Sequence, residues 1–296
     1  MLFRSRQVGP SNWTVDTCGR PDRLFQNDGS GRFTDVSESA GITEKGHGLS
    51  ATWWDHDRDG WPDLYLAQGS HKPVDPNQPT ARPLVKAPQT PPRDRLFRNT
   101  ADGRFEDVTN QAGVLQTAYG QGVSVGDVNS DGFDDIHVAN VGGNRLLINN
   151  GDGTYSDETE ATGIAGNQWS INGLLADLDG DGLPDLYVVN YLDYHLGNDQ
   201  ICGVYDATQR TSVGTLVKME KSSRTYCSPH SYSAAPDVLY RNQGDGLFAD
   251  VTRAAGVFSV YGKGLGVTTT DYDSDGDTDI YVANDGVRNF LFRNDG

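Results

Sequence analysis

Four short segments place aspartates at a spacing suited to binding a hard divalent cation: Asp55–Asp63 (DHDRDGWPD), Asp127–Asp135 (DVNSDGFDD), Asp177–Asp185 (DLDGDGLPD) and Asp271–Asp279 (DYDSDGDTD). Calcium takes six to eight oxygen ligands, and side chains at positions one, three and five of a tight turn converge on one point. Those positions hold Asp55, Asp57 and Asp59; Asp127, Asn129 and Asp131; Asp177, Asp179 and Asp181; and Asp271, Asp273 and Asp275. A glycine at position six (Gly60, Gly132, Gly182, Gly276) permits the sharp bend. Position seven would offer a backbone carbonyl, from Trp61, Phe133, Leu183 or Asp277. Position nine would close the shell with Asp63, Asp135, Asp185 or Asp279. The spacing predicts about four Ca²⁺ sites.

An EF-hand starts in the same way but needs a bidentate Glu at position twelve and flanking helices. Position twelve is Leu66, Val138, Val188 or Val282, which excludes it. Charge supports ligation. The chain carries a net charge of −17, and the fifteen carboxylates of the proposed sites account for all but −2 of it. Packed this closely and left without counter-ions, they would repel one another and some would titrate late. Four bound Ca²⁺ would leave −9. Magnesium fits less well, because it gives up its waters reluctantly to an all-protein cage.

Such loops need rigid elements to hold them. Each is followed at once by an apolar, β-branched stretch (LYLA from Leu64, IHVAN from Ile136, LYVVN from Leu186, IYVAN from Ile280) that reads as a strand. Between the loops a second element recurs: Leu24–Ile42, Leu96–Val114, Leu146–Ile164 and Leu239–Val257, with its first half again at Leu291–Gly296. Its two short apolar runs, split by Asn and Gly, predict a β-hairpin. One strand into the loop, one out of it and a hairpin make four strands per unit. Tandem units of that kind predict an all-β fold, a β-propeller of four-stranded blades. The phase, half a unit at each end with three whole units between, suggests a partial propeller, though a four-bladed ring joined from the halves is also open. Residues 1–22 stand apart from the repeats, which fill 23–296 with insertions at 70–94 and 192–236. Strand parity places both insertions at the end of the blades opposite the calcium loops, so the ions would be structural. A partner would then meet the insertion face, with Tyr226, His230 and Tyr232 as candidates, although these aromatics would equally serve to pack the insertion.

Composition narrows the function. A charge of −17 argues against nucleic acid as a partner. No apolar run is long enough for a membrane span. Met1 to Pro21 lacks the apolar core of a signal peptide, so either export is not intended or a leader has been lost. Cys202 and Cys227 bracket the second insertion, where a disulfide and two free thiols are both open readings; Cys18 is left over. Gly122–Gly126 (GVSVG) matches a nucleophile elbow formally but runs into an aspartate loop, not a helix. No catalytic residues are assigned, and the chain is read as non-enzymatic. His56 and His137, on or beside repeat elements, are read as surface residues, and Asn12-Trp13-Thr14 is a glycosylation sequon that matters only in a eukaryotic secretory host.

The aspartate loop, its strand and the xGDGxFxDVTxxAG hairpin resemble the FG-GAP/VCBS repeats of the integrin α-chain propeller. More narrowly, the chain resembles the ASPIC/UnbV (cartilage acidic protein-like) family, most closely over Tyr226–Thr252. That resemblance implies a secreted, periplasmic or cell-surface protein with calcium in its blade loops. It also implies a fragment, since the domain that gives the family its name is not within this sequence. The expected role is adhesion, scaffolding or protein interaction, with a protein or glycan as partner. The alternatives are a lectin-like propeller, or the non-catalytic propeller of a larger secreted enzyme.

Overall fold

The computed structural model describes residues 22–43, 48–69, 93–115, 118–194 and 227–296, together with the backbone of four short strands inside the second insertion. The chain opens on the hairpin β1 (Phe25–Asn27) and β2 (Phe33–Asp35). The first blade follows, from β3 (Gly48–Trp54), β4 (Asp63–Gln68), β5 (Arg95–Asn99) and β6 (Phe105–Asp107). The second holds β7 (Gly120–Gly126), β8 (Asp135–Asn140), β9 (Arg145–Asn149) and β10 (Tyr155–Asp157). A one-turn helix, α1 (Thr159–Thr162), leads to β11 (Ser170–Ala176) and β12 (Asp185–Asn190). The insertion contributes β13 (Cys202–Gly203), β14 (Thr208–Arg210), β15 (Leu216–Lys218) and β16 (Arg224–Thr225). The third blade is completed by β17 (Val238–Asn242) and β18 (Phe248–Asp250), and the last sheet by β19 (Gly264–Thr270), β20 (Asp279–Asn284) and β21 (Phe290–Phe292).

Strand order is the up-and-down order of propeller blades: β3-β4-β5-β6, β7-β8-β9-β10, β11-β12-β17-β18 and β19-β20-β21, all antiparallel. The first strands touch their neighbours in the next blade (β3 with β7, β7 with β11, β11 with β19) and so line the inside of the array. Each first strand carries a register shift near its start, between Gly48 and Ser50 and at the three equivalent places. The aspartate loops join first to second strands, and both insertions join second to third strands, as strand parity requires.

The second strands do not alternate. All six residues of β4, β8 and β12 are buried, because each blade is packed on both faces. The interfaces are built to one plan. Leu64, Leu66, Phe97 and Phe105 of the first blade meet Ala40 and Ile42 of the opening unit. Ile136, Val138, Leu147 and Tyr155 of the second meet Ala112 and Val114 of the first. Leu186, Val188, Tyr240 and Phe248 of the third meet Ile164 of the second. The Asp-x-Ser/Thr after each hairpin closes it: the hydroxyls of Ser37, Thr109, Thr159 and Thr252 accept from the backbone N–H of Leu24, Leu96, Leu146 and Leu239 at 2.8–3.0 Å.

Candidate metal centres

Loop shape follows from residue type. Positions four and six are left-handed: Arg58, Ser130, Gly180 and Ser274 have φ of 59–75°, and the four glycines that follow have φ of 88–101°. Position one organises the turn. Its Oδ2 accepts the position-six N–H in every loop, Gly60 to Asp55 and Gly132 to Asp127 at 2.8 Å, Gly182 to Asp177 and Gly276 to Asp271 at 3.0 Å. Position five spends one oxygen on position seven, with Trp61, Phe133, Leu183 and Asp277 donating their N–H to Asp59, Asp131, Asp181 and Asp275 at 2.8–3.0 Å. Trp61 itself lies 47% exposed, so its side chain leaves the loop and only its backbone remains to face an ion.

Position nine has a second task that its spacing does not reveal. Asp63, Asp135, Asp185 and Asp279 are buried. One oxygen of each accepts the N–H of position two (His56, Val128, Leu178, Tyr272) at 2.8–3.1 Å. The other accepts the N–H of the asparagine at the end of the third strand (Asn99, Asn149, Asn242) or just beyond it (Asn294) at 2.7–2.9 Å. Burial raises the pKa of Asp63 and Asp185 and pushes Asp135 up to about 7, with the backbone hydrogen bonds opposing the shift. A cation can be bound only by the deprotonated carboxylates, so binding would release protons from these groups and weaken as pH falls.

The loops differ in how many carboxylates converge. Asp55, Asp57 and Asp63 bring one oxygen each within 4.8 Å of one another, as do Asp177, Asp179 and Asp185, and Asp271, Asp273 and Asp279. Position five, Asp59, Asp181 or Asp275, stands outside these triples. In the second loop Asn129 replaces the third-position carboxylate and its Nδ2 donates to Asp131 Oδ2 at 2.9 Å; Asp127, Asp131 and Asp135 form no such triple. Loops one and two also touch through Arg58, whose guanidinium lies 4.5 Å from the Phe133 ring centroid.

The third-strand asparagines were not picked out from sequence, yet they recur at one place in every hairpin. Their side chains bridge blades. Nδ2 of Asn149, Asn242 and Asn294 donates to the carbonyl of position two in the preceding loop, His56, Val128 and Leu178, at 3.1, 2.8 and 2.7 Å. The same amides also reach the position-eight carbonyls of their own loops, Asp134, Pro184 and Thr278.

A second recurring acid lies at the far end of the blades. Asp94 and Asp237, just before the third strand, accept from the N–H of Gln68 and Asn190 at 2.7 and 2.8 Å and from the Tyr65 and Tyr187 hydroxyls at 3.1 Å. Burial raises both pKa values to about 6. Asn144 and Asn289 hold the same place in the second and last sheets, accepting from Asn140 and Asn284.

Three expectations change. His56 and His137 are buried, not superficial. His56 plugs the seam against Tyr155, ring centroids 6.4 Å apart, as Val128 and Leu178 do in the next two loops. His137 fills the place of Tyr65 and Tyr187, 3.3 Å from Ser124 Oγ, and its burial lowers its pKa to about 4. That serine sits in mid-strand in β7, not on a strand-to-helix turn. Tyr232 is also buried, edge-to-face with Tyr194 at 5.7 Å in a cluster with Trp169, Tyr191 and Leu192, so it packs the insertion instead of facing a partner. His230 is exposed. Tyr226 and the sequon at Asn12 lie outside the described residues. Cys227 is disulfide-bonded, while the side chains of Cys18 and Cys202 lie outside the described residues.

Comparison with known proteins agrees with this architecture. A family model described as FG-GAP-like repeat matches residues 87–138, 127–188 and 228–296, more than half of the chain between them. Over 80 residues the chain is 34% identical to cartilage acidic protein 1 of Xenopus tropicalis and of Mus musculus, and 32% identical to that of Homo sapiens. Each match covers 27% of this chain and 12% of the relative's length. Among the described residues no helix is long and apolar enough to cross a membrane.

Proposed function

The chain belongs to the FG-GAP-like repeat family, and from that membership and its loop geometry we propose that it is a non-catalytic, calcium-binding propeller module for protein interaction outside the cytoplasm. The observation that carries the calcium assignment is the convergence of positions one, three and nine, to within 4.8 Å, at the same point of three separate repeats. Three carboxylates so close repel one another, and Arg241 beside Asp179 at 2.9 Å and Arg293 beside Asp273 at 3.8 Å offset that only in part, which favours a cation between them. An all-oxygen donor set with backbone carbonyls in reach suits Ca²⁺ better than a softer metal. In the second loop Asn129 lowers the ligand charge, so that site binds more weakly. The extracytoplasmic setting is supported by the disulfide at Cys227, since such bonds persist in oxidising compartments.

The test is calorimetric titration of chelator-treated protein with CaCl₂, paired with thermal unfolding. Tenfold excess of free calcium over the dissociation constant should add about 1.4 kcal/mol per site. No heat of binding, together with an unchanged melting temperature in chelator, overturns the assignment.

A further inference from the structure

The place just before each hairpin asparagine is held by Arg98, Ile148 and Arg241 in the third strands of the three blades. Across the hairpin these residues pair with Glu106, Ser156 and Ala249. In the first blade Nη2 of Arg98 binds Glu106 Oε2 at 2.7 Å. That hydrogen bond is the largest cause of the raised pKa of Arg98, and the loop-one carboxylates Asp57 and Asp59 add to it through space. Arg98 is thus within reach of loop one but held by Glu106, and among the described residues Asp57 is left without an ion pair.

In the third blade the opposing residue is Ala249, which offers no acid. Arg241 reaches the loop instead: its Nε lies 2.9 Å from Oδ2 of Asp179, the third-position carboxylate of loop three. The other oxygen of Asp179 accepts the Asp181 N–H at 3.3 Å, so both are engaged. Arg293 in the last sheet makes a longer contact of the same kind, 3.8 Å to Asp273, while also meeting Asp295. The second blade is the complement. Its third position is the uncharged Asn129, and Ile148 stands where the arginine would be. Across the four loops, then, the arginine and a third-position aspartate occur together. Loops one and three bring the same three carboxylates together, from positions one, three and nine, so what separates them is the guanidinium.

We propose that Arg241 is a built-in competitor for the cation at loop three, and that Glu106 removes the same competition from loop one by holding Arg98. A cation at loop three must displace the guanidinium from Asp179 or share the carboxylate with it, and in either case it meets a positive charge that loop one does not present. Loop one therefore fills first and loop three only at higher calcium, although their spacing predicts equal donor sets. The residue facing the arginine on the fourth strand, Glu106 or Ala249, sets this order without being a ligand. The inference rests on the calcium reading of the loops, and the experiment separates the two.

The test is calorimetric titration of the full chain with CaCl₂. Loop three is read in a background of Asp57→Ala and Asp273→Ala, which weakens loops one and four. There Arg241→Gln should tighten binding about threefold to tenfold at low salt, and the gain should shrink in about 0.5 M NaCl as the charge is screened. Ala249→Glu should act in the same direction by drawing Arg241 across the hairpin, and should add about twofold or less once Arg241→Gln is present. Loop one is read in a background of Asp179→Ala and Asp273→Ala. There Glu106→Gln should weaken binding by a similar factor, and adding Arg98→Gln should restore it. The side chains of Arg98, Glu106 and Arg241 are 42–53% exposed, so melting in chelator should hardly move and serves as the check on folding. Unchanged affinity in Arg241→Gln, a gain indifferent to salt, or an Ala249→Glu effect that persists in full without Arg241 would each overturn the proposal. Absence of calcium heat from loop three in every variant would instead remove the calcium reading, and this proposal with it.

Discussion

Asp94 predicts a stabilising substitution that can be worked through in advance. It is 1% exposed, and burial raises its pKa from 3.8 to about 6. A carboxyl whose pKa is higher in the folded than in the unfolded chain penalises folding wherever it must ionise. The folded state then binds more protons than the unfolded one between those values, so this penalty is full above about pH 7. It fades as pH falls through 6 and is gone below the unfolded value. A shift of about two units at 1.36 kcal/mol each makes the penalty about 3 kcal/mol, a large share of a typical domain's stability. Asp94→Asn removes the charge and keeps the shape. The protein already contains the product: Asn289 accepts from Asn284 N–H at 2.8 Å and donates to the Tyr281 hydroxyl at 2.6 Å, the pair of contacts that Asp94 makes with Gln68 and Tyr65. Urea unfolding of both proteins in saturating CaCl₂ should show the variant about 3 kcal/mol more stable at pH 7.5, about half that at pH 5, and equal near pH 3. The aspartate loops titrate alike in both proteins and cancel. A variant less stable at pH 7.5, or a difference that does not change with pH, would refute the reasoning.

Asp185→Ala should cost roughly 2–5 kcal/mol even in chelator, since it strands the buried N–H groups of Leu178 and Asn242; exposed Asp179→Ala should lower calcium affinity with little effect on the metal-free protein, a contrast read from paired chelator melts and titrations. Gly173→Ala places a methyl 2.4 Å from His137 Nδ1 and 3.1 Å from Ser124 Oγ, so the blade seam must part; a loss of about 1–3 kcal/mol is expected in urea unfolding.

The repeat was legible because its signals are local. Loop spacing, the strand behind each loop and the Gly-rich hairpin all lie within a few residues of one another, and the structure reproduces their order. Residues that join one blade to the next were not legible. His56, Val128 and Leu178 vary in type because each must fill a differently shaped seam, and nothing in the sequence ties them to Asn149, Asn242 or Asn294. His137 was misplaced for a related reason. Alternation predicts one wet face, whereas β8 is covered on both by neighbours far away in the chain. Asp94 and Asp237 escaped notice at the ends of insertions, although Asn144 and Asn289 mark the same spot. In the loops, spacing alone could not show that position nine spends both oxygens on backbone N–H groups, whereas Asp57 and Asp179 at position three each spend one.

The asparagine bridges also decide where this array can be cut. A sheet drawn from first to fourth strand has the outline of a module, but its loop is gripped by the following hairpin through Asn149, Asn242 or Asn294. Excising one sheet would leave its own turn without a clasp and carry away the clasp of its predecessor. A piece that runs from one loop through the hairpin of the next unit keeps the first loop's clasp but leaves the second loop without its own, as loop two is without Asn242 when the chain is cut after the second blade. Any shortening of the array therefore costs the last retained loop its clasp, and loss of order should begin there.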